Sequence, residues 1–163
     1  MMDRPWLVLD NSVLSAFTNA GWFHGPQVWD VDYQLVTSRR IWEQEFLPYH
    51  PVENTPEWLS VHKIDLEDAR AEIPNKLSLH DWSGVIAAER SEQSVLTTND
   101  FAIKKTAERR DIETLWGSAF AIQTYQKCGI SINEFDMGVD DYISDVTLGP
   151  DIVTELRNTQ KEP

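Results

Sequence analysis

A single cysteine, Cys128, is all the chain contains, so no intramolecular disulfide is possible, as expected of a protein kept in a reducing cytosol. No run of residues approaches the roughly 20 apolar positions that a bilayer-spanning helix needs, so no membrane partner is expected. The opening Met1-Met2-Asp3-Arg4-Pro5-Trp6 lacks a basic segment followed by a long apolar run, which argues against a signal peptide and for a cytoplasmic location. Zinc-type spacing is missing too: His24, His50, His62 and His80 are scattered, with no cysteine beside them. Internal repeats and low-complexity segments are also lacking. Positive charge is the scarcest resource, with 14 Lys and Arg against 27 Asp and Glu and a net charge of -13. Such a chain repels nucleic acid at long range, because backbone binding normally comes from Lys and Arg displacing counterions. The acid is either a solvating surface, as in proteins from a salty cytoplasm, or partly a cluster whose bound cations reverse the local sign. Composition does not separate the two.

What is present suits one globular domain spanning residues 1–163, with 41% hydrophobic and 25% charged residues. Trp6-Leu7-Val8-Leu9 reads as a short, fully buried strand, and Asp10-Asn11-Ser12 ends it and caps a helix over 13–20. Residues 21–26 read as a loop. Apolar spacing predicts a helix over 33–49, ended by Pro48 and Pro51, then a strand over 58–64 and a short helix over 66–73. Asp81 precedes a helical stretch over 82–90. Ser94-Val95-Leu96-Thr97 is a strand, followed by Asp100 and a helix over 101–109. A strand over 112–115, a turn at Gly117, and helices over 118–127, 133–144 and 151–157 complete the chain. Strands alternating with helices predict an α/β layered fold with a mainly parallel sheet.

In such sheets, ligands bind at the carboxyl ends of the strands. Asp10 and Asp100 fall there, and Asp81 sits at a helix N-terminus where negative charge is favoured. Glu43 and Glu45 are the candidates for a fourth acid. A like-charge pair about 5 Å apart at an effective dielectric near 20 costs about 3 kcal/mol. A hard divalent cation taking oxygen ligands is the natural way to offset that cost. Taken singly, each aspartate is better explained by helix capping and each glutamate by a solvated helix face, so the case rests on their combination.

The order of these segments resembles the PIN-domain family over most of the chain. Leu7-Val8-Leu9-Asp10-Asn11-Ser12 resembles its opening strand and aspartate. Leu77 to Ala88, with Asp81 leading a small-residue helix, is similar to its central segment. Val95-Leu96-Thr97-Thr98-Asn99-Asp100 matches its strand ending in Thr-x-Asp, and Trp116-Gly117-Ser118 with Phe120-Ala121-Ile122 looks like its later turn and helix. The resemblance implies a three-layer α/β/α sandwich and an acidic pocket holding Mg²⁺ or Mn²⁺. It also implies an endoribonuclease, often the homodimeric toxin of a VapBC-type pair with an antitoxin partner. Carried over, Asp10, Asp81 and Asp100 are the metal-binding and catalytic aspartates. The family's apolar-x-x-Glu spacing, counted from Ile41, lands on Gln44, so the fourth acid is Glu43 or Glu45, with Glu43 slightly preferred. Thr98 and Ser12 are placed to support the pocket.

RNA needs cations nearby. Lys104, Lys105, Arg109 and Arg110 follow Asp100 and are the first candidates for phosphate contact, with Arg39 and Arg40 second. Trp22, Phe23 and Trp29 could stack unpaired bases or bind a partner peptide, though core packing or a dimer contact is the better explanation for most of them. Two rivals stand beside the nuclease. One is a noncatalytic PIN-like binding module. The other is an Asp-dependent α/β phosphohydrolase, disfavoured because Ser12 occupies the place of the second aspartate that a haloacid-dehalogenase-like enzyme needs. A receiver domain wants an acid pair at the first strand's end, where only Asp10 stands.

Overall fold

The computed structural model describes residues 4–67, 72–146 and 150–161. The apolar run Trp6–Leu9 forms β1, followed by α1 over Asn11–Asn19, a 3-10 helix over Gly25–Val31, β2 over Gln34–Ser38, a π-helical segment over Ile41–Phe46 and β3 over Leu59–His62. The second half holds α2 (Leu79–Glu89), β4 (Ser94–Thr98), α3 (Phe101–Arg109), β5 (Glu113–Trp116), α4 (Gly117–Gln126), α5 (Ile132–Asp145) and α6 (Pro150–Lys161). All five strands are parallel, in the order β3-β2-β1-β4-β5. The expected α/β/α sandwich with a parallel central sheet is therefore the fold.

Alternation along β1 builds the two cores. Leu7 and Leu9 join Leu35, Phe17, Trp22, Phe120, Phe135 and Tyr142 on one face, against α1, α4 and α5. Val8 turns the other way, with Val36, Leu96, Trp82, Ile86 and Ile103 beneath α2 and α3. A strand covered on both faces can carry apolar side chains at every position, which is why β1 reads as an unbroken run. Full burial of each such side chain contributes about 1.5–3 kcal/mol. Among the described residues, no helix is long and apolar enough to cross a membrane.

The single helix expected over 33–49 is not formed. Its first part is β2, paired on both sides, and only its second part is helical, with i→i+5 bonding such as Leu47 N–H to Trp42 O at 2.9 Å. A short run such as Leu35-Val36-Thr37 does not distinguish strand from helix by periodicity, and tertiary pairing with β1 and β3 decides it. The 21–26 loop gives way to the 3-10 helix at Gly25. The short helix expected over 66–73 falls partly on residues 68–71, outside the described residues.

Strand order also positions the crevice. From β1 the chain moves outward through β2 to β3, then returns to place β4 on the opposite side of β1. The connections leaving β1 and β4 thus diverge, and a parallel sheet opens its ligand crevice at that reversal, beyond the carboxyl ends of the strands. Asp10 follows β1 directly, and Thr98 is the last residue of β4.

Candidate active site

Asp10 is buried at this reversal, only 3% exposed. It is the N-cap of α1, with extended backbone, so its carboxylate faces the first turn of the helix. Oδ2 accepts from Ser12 Oγ at 2.6 Å, from Ser12 N at 3.3 Å and from Thr98 Oγ1 at 2.8 Å. Oδ1 accepts no hydrogen bond among the described residues. Burial pushes the Asp10 carboxyl above the usual carboxylate range, the Ser12 and Thr98 bonds pull it back, and the nearby Asp81 charge pushes it up again. Ser12 and Thr98 thus both hold the same oxygen of Asp10, Oδ2.

Of the two glutamates, the structure brings Glu45 rather than Glu43 to the aspartates. Glu45 is half-buried, and its carboxyl is pushed up to about 7 by burial first and then by the charges of Asp10 and Asp81. Glu43 is exposed and is held by Arg39, whose Nε donates to Oε1 at 3.0 Å. The slight preference for Glu43 is corrected by the π-helical segment. Bonding from i to i+5 widens each turn by a residue, so the acid over buried Ile41 comes at the fourth position rather than the third. The segment is fixed at its start by Ser38 Oγ, which accepts from Ile41 N at 3.0 Å and lies 2.6 Å from Ser83 Oγ on α2. Added bulk at Gly84 would meet Ile41 Cδ1 at 3.2 Å, so α2 packs tightly on the same segment. This contact sets the segments carrying Glu45 and Asp81 side by side.

Asp81 lies within the first turn of α2, not ahead of it. Ser78 is the N-cap, and the two form a capping box: Ser78 N–H donates to Asp81 Oδ2 and Asp81 N–H to Ser78 Oγ, both at 3.1 Å. Asp100 is exposed, and its Oδ1 accepts from Ile103 N at 3.0 Å as the N-cap of α3. It is tied to Asp10 only through Thr98, whose Oγ1 accepts the Asp100 N–H at 3.0 Å while donating to Asp10. All three aspartates thus cap helices. Burial sets Asp10 apart from an ordinary cap, the Asp81 charge acts on both Asp10 and Glu45, and Asp100 is exposed.

Among the described residues, no three His, Cys, Asp or Glu side chains are arranged to hold one metal ion as they stand. The donor chemistry nevertheless suits a hard cation. Five buried side-chain atoms lack a hydrogen-bond partner among the described residues: Asn11 Oδ1, Glu45 Oε1, Trp58 Nε1, His80 Nδ1 and Thr97 Oγ1. One of them is Glu45 Oε1 itself, and three belong to residues next in sequence to Asp10, Asp81 and Thr98. Buried polar atoms are normally paired, so Glu45 Oε1 is an oxygen donor left free for a ligand.

Asn99 was not singled out from the sequence, yet it ties the crevice together. Its N–H donates to Ser12 Oγ at 2.9 Å, its Nδ2 to Ser12 O at 3.2 Å, and its Oδ1 accepts from Tyr142 on α5 at 3.1 Å. A side chain at Gly117 would meet Asn99 Oδ1 at 2.4 Å, which explains glycine at that turn. The only hint in the sequence was its place between Thr98 and Asp100.

The cations after Asp100 are unequal. Lys104 pairs with Glu108 at 3.1 Å and lies over Trp116, and Arg110 is held by Glu89 and Glu72 over the Trp82 ring. Lys105 is exposed above the Phe101 ring, and Arg109 is exposed with no ion pair among the described residues. Trp22 and Trp29 are core residues, and Phe23 is half-buried between Phe46 and Trp58, so packing accounts for all three. No protein-family model matches the sequence, and neither curated proteins nor solved structures yield a match.

Proposed function

We propose that this chain is a PIN-like, metal-dependent ribonuclease that hydrolyses RNA phosphodiester bonds, with Asp10, Asp81 and Glu45 as the acids that hold Mg²⁺ or Mn²⁺. The observation that supports it most is the charge coupling of Glu45 with Asp10 and Asp81 near the strand-order reversal, with Glu45 Oε1 buried and unpartnered among the described residues. Asp10 offers Oδ1, while Ser12 and Thr98 hold Oδ2 and so fix the rotamer of the acid. Asp100, which caps α3 with Oδ1, stands beside the set through Thr98 and keeps Oδ2 for a ligand. A divalent cation bound there supplies positive charge that steadies phosphate oxygens and makes water more acidic. The chain's own part is to aim oxygen ligands, to keep the acids half-dry so that charge interactions are strong, and to place exposed Lys105 and Arg109 for RNA backbone contact.

The test is cleavage of single-stranded and structured RNA in Mg²⁺, Mn²⁺ or EDTA. Wild type should cut with either cation and not in EDTA. Asp10→Asn and Glu45→Gln should each lose at least about 100-fold, against a much smaller loss in Glu43→Gln, on the scale of a misplaced catalytic ligand. Equal cleavage by wild type and Asp10→Asn in clean preparations refutes the reading. RNA binding without any metal-dependent cleavage would favour the noncatalytic module, whose support is that every aspartate already serves as a helix cap.

A further inference from the structure

A second group of charged side chains lies on the same edge of the sheet, one and two strands away from Asp10. The register aligns Val8 with Val36, and Ser38 with His62, so the chain leaves β1 at Asp10, β2 at Ser38 and β3 at His62 at nearly one level. The residues just past the last two strands are Arg39, Arg40 and Lys63. They line a cleft of about 250 Å³ with Ser38, Glu43 and Gln44, and Arg39 and Lys63 continue into a neighbouring cleft of about 460 Å³ beside Trp42. Three cations meet one carboxylate there, in a chain whose net charge is -13. Arg39 is paired with that carboxylate, Glu43. Lys63 is exposed and Arg40 half-buried, and neither makes an ion pair or side-chain hydrogen bond with any described residue. An arginine half out of water without an acceptor loses hydration and gains nothing in return unless a ligand supplies the acceptor.

We propose that this cleft is an anion subsite for the RNA backbone: Arg40 and Lys63 hold a phosphodiester group flanking the one at the acids, and Glu43 restrains the subsite by occupying Arg39. The inference rests on the nuclease reading. Adjacent strands lie about 4.8 Å apart, so Lys63 starts about 10 Å along the edge from Asp10, a reach that neighbouring phosphates of one extended RNA strand can span. A strand lying along the edge would then meet cations at the cleft and oxygen ligands at the reversal. That arrangement confines favourable phosphate contact to one path on an otherwise repulsive surface. It also separates the two glutamates of the π-helical segment by role, Glu45 toward the acids and Glu43 toward the cations.

The experiment is fluorescence anisotropy of an end-labelled 12-nucleotide single-stranded RNA, in EDTA so that no cleavage occurs, over a series of salt concentrations. Lys63→Ala and Arg40→Ala should each weaken binding about 3- to 10-fold at low salt and flatten the salt dependence by about one phosphate contact. Glu43→Gln should tighten binding several-fold, an effect that a misfolded variant does not produce. Lys127→Ala removes a charge from the far end of α4, which runs back from this edge, and should leave binding unchanged. Cleft variants that bind like wild type, or Glu43→Gln that binds no better, overturn the subsite. If wild type cleaves RNA while the cleft variants bind unchanged, the subsite alone fails. If the variants shift binding as stated but nothing is cleaved in Mn²⁺, the subsite stands and the hydrolytic reading falls. Wild type that binds no RNA in EDTA or Mn²⁺ overturns both.

Discussion

Glu45 stores energy that a single substitution should release. In the folded protein its carboxyl keeps its proton up to about pH 7, because ionising it means charging a half-buried group beside Asp10 and Asp81. In the unfolded chain the same group ionises near 4.5. Below pH 4.5 it is protonated in both states and costs nothing. Between 4.5 and 7 the folded state binds the proton more tightly, so stability falls as pH rises. Above 7 the group is ionised in both states and the full cost is present. At about 1.4 kcal/mol per tenfold change in proton affinity, the limit is about 3 kcal/mol, and partial solvent access brings it to about 2 kcal/mol. Glu45→Gln, with nearly the same shape and no charge, should therefore stabilise the metal-free protein by about 2 kcal/mol at pH 8 and by almost nothing at pH 4.5. For a domain of this size that is a rise of about 4–8 °C in Tm at pH 8. Thermal and urea unfolding in EDTA at the two pH values measure it, with Glu43→Gln, which removes the exposed acid held by Arg39, measured alongside. A Glu45→Gln variant less stable than wild type at pH 8, or equally shifted at both pH values, would refute the account of three mutually repelling acids.

Metal should reverse the sign of that effect. Mn²⁺ at 100 times its Kd should raise wild-type stability by about 2.7 kcal/mol by mass action, and Glu45→Gln and Asp10→Asn by distinctly less; a wild-type melting curve unmoved by Mn²⁺ removes the cation from the site. Thr98→Val deletes the donor to Asp10 and the acceptor of the Asp100 N–H, so urea unfolding should show a loss of about 1–3 kcal/mol. Gly117→Ala drives a methyl toward Asn99 Oδ1, at 2.4 Å, and should cost about 1–3 kcal/mol and reduce RNA cleavage by displacing the Asn99–Ser12 contacts. Trp82→Ala, which empties a fully buried site beneath α2, should cost about 3–5 kcal/mol by calorimetry.

Much of the architecture was legible in the chain itself. β1 and the Val95-Leu96 stretch of β4 announce themselves as short apolar runs before polar punctuation, because a strand covered on both faces needs few polar residues. The edge strand β5, by contrast, mixes Glu113 and Thr114 with Leu115 and Trp116. Asp10 and Asp100 each occupy an N-cap, a local preference set by the unpaired N–H groups of the first helical turn, whereas the Ser78 and Ser131 caps came only with the structure. The acids were legible as candidates for the same reason: an aspartate that ends a parallel strand must stand at the ligand edge. Sequence could not say which of them meet. Asp10, Asp81 and Asp100 have the same local chemistry, a carboxylate at a helix start, and only the tertiary structure leaves Asp10 buried, Asp81 half-buried and Asp100 exposed.

Local pattern therefore determined the α/β alternation, the caps and the edge on which the acids lie. Tertiary packing decided that 34–38 is a strand, because pairing with β1 and β3 outweighs a periodicity that fits either state. It also decided that the helix after β2 winds with i→i+5 bonding between Ser38 and α2, and that winding turns Glu45 inward and leaves Glu43 with Arg39. Contacts between residues distant in the chain carry that choice, and no short stretch of sequence encodes them.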